Sequence, residues 1–139
     1  MTQEQVEKLL QPRYKVIATY PKCHWSVGKV LTADSEGWFE VELDWRVELE
    51  YMDAFPHLFR KLEWWEEREV SEMPEYVKII NTNPIAKVGE IIKTNKWNSV
   101  PNKFYFIDAD GDHAFIFVSD AIPATEQDYL TYKQNQVTV

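Results

Sequence analysis

The stretch Phe39-Glu40-Val41-Glu42-Leu43-Asp44-Trp45-Arg46-Val47-Glu48-Leu49-Glu50-Tyr51 decides how the chain is read. Apolar and aromatic residues alternate with charged ones throughout it. Side chains on a strand point to opposite faces in turn, so this alternation predicts one buried and one wet β face. By itself the stretch could be one very long strand or a hairpin. The rest of the sequence decides between them.

The chain contains words that recur in order, the signature of an internal repeat. Pro12-Arg13-Tyr14-Lys15-Val16-Ile17 and Pro74-Glu75-Tyr76-Val77-Lys78-Ile79 share Pro, Tyr and Ile at an offset of 62. Val27-Gly28-Lys29-Val30-Leu31 and Val88-Gly89-Glu90-Ile91-Ile92 match at 61. Asp53-Ala54-Phe55-Pro56 and Asp120-Ala121-Ile122-Pro123 match at 67. The last offset places Asp44 over Gly111. Asp110-Gly111 separates two apolar runs, Phe104 to Ile107 and Ala114 to Val118. Asp-Gly favours a tight hairpin turn because Gly accepts positive φ without steric cost. The Phe39–Tyr51 stretch is therefore read as a hairpin turning near Asp44.

Each copy then opens with a strand rich in aromatic and β-branched residues, Tyr14 to Tyr20 in the first. A second strand follows with an internal glycine, Gly28 or Gly89, which marks a bend or bulge. Thr2 with Gln5, and Thr125 with Glu126 to Asp128, are helix-start patterns. Phe59, Leu62 and Trp65 are spaced for one side of a short helical turn. The predicted fold is mainly β: two tandem SH3-like small barrels related by internal duplication, with short N-terminal and C-terminal helices. The predicted partition is an N-terminal helix over 1–11, a first module over 12–73 with a helical linker, and a second over 74–139. A module of about 60 residues buries only about 60% of its unfolded surface, so the two copies are expected to support one another.

Composition bounds the rest. The 139 residues carry 15 Lys+Arg and 23 Asp+Glu, a formal charge of −8, which argues against a broadly basic nucleic-acid-binding surface. With 14% aromatic residues the chain has enough apolar area to fold. One cysteine makes no intrachain disulfide framework. No apolar run approaches the ~18 residues of a membrane span, and no signal peptide opens the chain. A cytoplasmic location is expected, with no membrane partner.

Chemistry-bearing motifs are few. Asp108-Ala109-Asp110-Gly111-Asp112 resembles the start of a calcium loop, but that loop needs Gly at its sixth position and Glu at its twelfth. Here Gly is fourth and Ser119 is twelfth, so the stretch reads as a turn. Cys23-His24, His57 and His113 lack zinc-ligand spacing. No metal, cofactor or catalytic residue is expected, and the chain reads as a non-enzyme.

Two features suggest recognition. The predicted hairpin places Glu40, Glu42, Glu48 and Glu50 on one solvent face, where like charges across strands repel unless lysines or a basic partner offset them. Lys15, Lys22 and Lys29 are candidates for that offset. Trp25 and Trp38 sit at strand ends, where an exposed indole would anchor an interface. These six residues form the predicted partner-binding set.

Pro74 to Lys78, Val88 to Ile91, the close Ile122-Pro123-Ala124-Thr125-Glu126-Gln127-Asp128-Tyr129 and the segment Phe55 to Glu66 together resemble small phage and prophage proteins of Bacteroides-type bacteria. The resemblance implies a phage origin and a tandem SH3-like fold, and it brings no catalytic residues. The expected function is a non-enzymatic accessory or adaptor protein binding another macromolecule, most simply a protein, in the host cytoplasm or on the virion. The alternative is a nucleic-acid role, either direct binding or DNA mimicry against a host enzyme.

Overall fold

The computed structural model describes residues 1–20, 25–42, 45–95, 102–108 and 110–137. The chain is mainly β; the described residues form ten strands in small antiparallel sheets and three short helices. It divides into two compact units. The first is Gln11–Glu67; the second joins Met1–Leu10 to Arg68–Val139. The partition differs from one made along the sequence at 73/74. The N-terminal helix groups with the later unit, and the division falls after Glu67.

In the first unit, β1 (Arg13–Val16) lies between β2 (Val30–Thr32) and β5 (Phe59–Lys61). A hairpin of β3 (Phe39–Glu42) and β4 (Trp45–Val47) follows β2, and helix α2 (Leu49–Ala54) leads to β5. The buried core gathers Tyr14, Val16, Trp25, Leu31, Phe39, Val41, Val47, Met52, Leu58 and Phe59. The structure departs from the sequence pattern at two places. Strand alternation ends at Val47, and Leu49 to Ala54 is helical, with Met52 turned into the core. Phe59–Lys61 is a strand instead of a helical turn, because β1 needs a partner on its second edge.

In the second unit, β6 (Tyr76–Ile79) lies between β7 (Ile91–Lys93) and β10 (Ala121–Ala124). The hairpin is β8 (Lys103–Ile107) and β9 (His113–Phe117), joined to β10 by a 3-10 turn at Val118–Asp120. Helix α1 (Gln3–Leu10) packs Val6 and Leu9 inward and lies against β10, and α3 (Glu126–Val137) lies against β7. Both helices begin with a reciprocal capping box. Thr2 N–H donates to Gln5 Oε1 (2.8 Å) while Gln5 N–H donates to Thr2 Oγ1 (3.2 Å). Thr125 and Asp128 exchange the same pair of bonds at 3.1 and 3.0 Å.

The strands do not close into a barrel among the described residues. Closure requires an unbroken ladder. Here each three-stranded sheet and each hairpin is a separate sheet. Only the isolated bridge Ala33–Phe39 links β2 to β3, and α2 replaces strand between β4 and β5.

Ladder registers also align the two units differently from the matching sequence words. Gly28 N–H donates to the Val16 carbonyl and Gly89 N–H to the Ile79 carbonyl, so Val16 corresponds to Ile79, an offset of 63. At the offset of 62, Ile17 would answer Ile79, yet Ile17 is 41% exposed and Ile79 is fully buried. One residue of slip flips a strand's faces, so burial selects the register. The match at 67 fails as well. Asp53 and Ala54 close α2, whereas Ala121 begins β10; by ladder position Ala121 answers Phe59, which faces Val16 as Ala121 faces Ile79. The two glycines do not lie inside strands. Each is the third residue of a tight turn, Ser26–Lys29 or Lys87–Glu90, at φ 97° and 91°. That is the type II position where only Gly is unstrained.

Candidate functional site

The four glutamates do not share a hairpin face. Glu40 is exposed on β3 and lies opposite Arg46. Glu42 is half-buried, and its Oε1 accepts from Ser26 N–H (2.8 Å) and Oγ (3.3 Å). Glu48 precedes α2, and its carbonyl accepts from the Tyr51 and Met52 N–H groups. Glu50 sits in the first turn of α2, where a carboxylate is favoured by the exposed N–H groups. The predicted cross-strand repulsion is relieved because the chain turns helical before Glu48 and Glu50 can pair with Glu40 and Glu42. The lysines proposed to offset them act elsewhere: Lys15 Nζ pairs with Glu67 at 2.6 Å, and Lys29 Nζ donates to the Val41 carbonyl at 3.3 Å. Lys22, Cys23, His24 and Asp44 lie outside the described residues.

The two predicted tryptophans separate. Trp38 is half-buried, with the Arg46 guanidinium 5.8 Å from its ring centre. Arg46 also reaches Asp34 at 3.5 Å and Glu36 at 3.8 Å. Trp25 is core, only 4% exposed, and cannot serve as an exposed anchor.

What Trp25 does instead is support an aromatic cluster. Its ring meets Tyr20 (5.6 Å), Trp45 (5.4 Å) and Phe59 (5.5 Å). Tyr51 continues the cluster to Phe55 (4.7 Å) and Phe59 (6.1 Å), and its hydroxyl lies 3.2 Å from that of Tyr20. Offset and edge contacts of this kind add roughly 0.5–1.5 kcal/mol each beyond area burial, so the cluster is a stiff base. On it stands Trp45, 45% exposed. The sequence alternation had placed Trp45 on the buried face. A bulge between Glu40 and Glu42 shifts the register, so that Trp45 pairs with Glu42 and turns outward. The bulge leaves no local sequence mark, since no glycine sits there.

Three carboxylates of the first unit, Asp34, Glu66 and Glu67, are held ionised. Asp34 is lowered below its ordinary value chiefly by the Trp38 N–H, then by the Glu36 N–H and Arg46. Glu67 is lowered by its bond to Lys15. Burial, the largest single influence on Glu66, acts upward, but the Glu63 N–H and Arg60 together outweigh it. These three side chains therefore stay anionic at neutral pH.

The second unit offers a different surface. Phe104, Phe106 and Ile116 of the hairpin point into the core. Lys103, Tyr105, Ile107, His113, Phe115 and Phe117 take the opposite face, with Phe115 40% and Phe117 49% exposed. Tyr105 and Phe115 stand 5.9 Å apart, Phe115 and Phe117 5.8 Å, and the Lys103 ammonium lies 4.5 Å from the Phe115 ring centre. At the other end, Asp108 Oδ1 accepts from the Asp110 and Asp112 N–H groups, which leaves the Asp110 and Asp112 side chains exposed. An open cavity of about 850 Å³ in the same unit is lined in part by Glu75, Glu90, Thr94, Asp108, Tyr129 and Lys133.

His57 is exposed beside Phe55, at 5.9 Å ring to ring, and His113 is exposed at the start of β9. Among the described residues no group of three His, Cys, Asp or Glu side chains is placed to hold a metal ion, and no helix is long and apolar enough to cross a membrane. No family model matches the chain, and no curated protein or solved structure matches it.

Proposed function

We propose that this chain is a non-enzymatic accessory protein, of phage or prophage origin, that binds another protein in the host cytoplasm through its first unit. The observation that carries this reading is Trp45, half-exposed on a rigid aromatic base and opposite the Glu42 carboxylate. An indole already fixed by its neighbours loses little freedom on binding, and such residues dominate interface energies. The Glu42 carboxylate opposite it favours a partner segment bearing Lys or Arg, whose cations also favour an indole face. Arg46 interrupts the carboxylates opposite Glu40, which favours a protein partner over mimicry of a continuous phosphate track.

We also infer that the two units are SH3-like copies of one duplicated module. Support comes from the shared strand order, with one middle strand flanked by the second and the last, and from the paired Gly28 and Gly89 turns.

The test is a peptide array rich in Lys- and Arg-containing sequences, followed by fluorescence titration of the hits. Trp45→Ala should weaken binding by about 30-fold, the size of a hot-spot loss. Glu42→Gln should weaken it less. Absence of any hit, or hits insensitive to Trp45→Ala, overturns the reading.

A further inference from the structure

The outer face of the β8–β9 hairpin is unusual in both halves of its chemistry. Its middle is aromatic, with Tyr105 directly opposite Phe115. Its ends carry opposite charge: Lys103 at one, the Asp108–Asp112 turn at the other. A solvated strand face would carry polar side chains at these alternate positions. Exposed aromatic surface of this kind marks an interaction site.

We propose that this face is a self-association surface, on which a second copy of the chain packs about a twofold axis. The axis lies in the plane between the two faces and crosses the strands at the Tyr105–Phe115 pair. Rotation about it reverses the strand direction. Phe115 then meets the partner's Phe115, Tyr105 meets the partner's Tyr105, and Lys103 reaches the partner's Asp108–Asp112 turn. The same contact forms at the other end, so one surface satisfies itself twice, as a closed twofold dimer requires.

Charge decides between occupants. A single-stranded nucleic acid would also stack on the rings, but the acidic turn would repel its phosphates. A second copy uses the rings, the lysine and the aspartates together. The strands are five residues long, about 17 Å, so the face is smaller than the ~800 Å² per partner of a standard interface. The dimer is therefore concentration-dependent.

Sedimentation equilibrium at physiological salt, which screens the −8 on each copy beyond about 8 Å, should show the mass rising from 16.5 kDa toward twice that value with concentration. Lys103→Asp alone should lose the dimer, and so should Asp110→Lys with Asp112→Lys. Mixing these two variants should restore it, because both end contacts then pair opposite charges. Phe115→Thr should abolish association and leave the circular dichroism spectrum unchanged. The proposal is overturned if the wild type stays at 16.5 kDa up to about millimolar concentration, or if the mixture fails to re-form the dimer. It is equally overturned if Phe115→Thr associates like wild type, or if the face binds oligothymidylate in preference to itself.

Discussion

The hairpins β3–β4 and β8–β9 follow the second strand of their units and bury similar inner faces, yet their outer faces differ in kind. Inside, Phe39 packs opposite Val47, and Phe104 opposite Ile116, all buried. Outside, the first hairpin offers Glu40 against Arg46, and the second offers Tyr105 against Phe115. Inner positions answer to packing, which tolerates few alternatives in a small core. Outer positions carry no such constraint and are where two units with the same strand order can present different chemistry. The first hairpin also breaks its alternation by a bulge, which turns Trp45 outward; the second keeps five consecutive pairs in register.

If inner faces hold each unit together, truncating them should cost most, and about equally. Phe39→Ala and Phe104→Ala should each destabilise their own unit by about 3–5 kcal/mol, read by chemical denaturation. A loss below about 1 kcal/mol at Phe104 would mean that its hairpin is not anchored, and the comparison would fail. Trp25→Ala should fall in the same class, and Trp38→Ala should stay below about 1 kcal/mol, since Trp38 offers mainly a cation–π contact to Arg46.

Next in size is an alkaline transition of the first unit, carried by Tyr14. Tyr14 is buried and donates to Asp53 Oδ1 at 2.5 Å. Burial first, then that bond and the Asp53 charge, push its pKa from 10.0 up to about 12. The unfolded chain ionises first, so the stabilisation is complete below pH 10 and is lost as pH rises to about 12. Its size is about 2 kcal/mol. Tyr14→Phe should flatten the first unit's stability over that window, and a slope unchanged by the substitution would remove Tyr14 as its cause.

The glycine turns test the likeness of the units more gently. Gly28→Ala and Gly89→Ala should each cost about 1–2 kcal/mol, from positive φ alone, because nothing lies within 4 Å of the added Cβ. Markedly unequal costs would weaken the case for equivalent turns. Smallest of all, reversing Glu40, Glu48 and Glu50 to Lys should shift stability by no more than about 0.5 kcal/mol, because all three side chains are exposed. Adding Glu42→Lys should cost about 1 kcal/mol more, through loss of the two bonds from Ser26.

Much of the local structure was legible. Thr2 with Gln5, Thr125 with Asp128 and the turn through Asp110-Gly111 all follow from side-chain chemistry within a few residues. Leu49 to Ala54 was not, because Val47, Leu49 and Tyr51 continue a period-two pattern that fits a strand as well as a short helix. Phe59–Lys61 was missed for the opposite reason: its helix-like spacing is overruled by the open edge of β1. The candidate site was half legible. Glu42 was named, as one of four glutamates expected on one hairpin face, but Trp45 was not, since a bulge reversed the face that alternation assigned to it.

By itself the sequence determined a mainly β chain, its capped helices, the turn at Gly111 and the acidic character of the surface. Each of these depends on one residue's backbone freedom, on a bond spanning a few positions, or on a sum over side chains. Only the tertiary structure decided the offset of 63 between Val16 and Ile79, the burial of Trp25 beneath Trp45 and the open, unclosed sheets. Those depend on which distant strand supplies a hydrogen-bonding edge, and on which side chains that pairing leaves with nowhere to go but water.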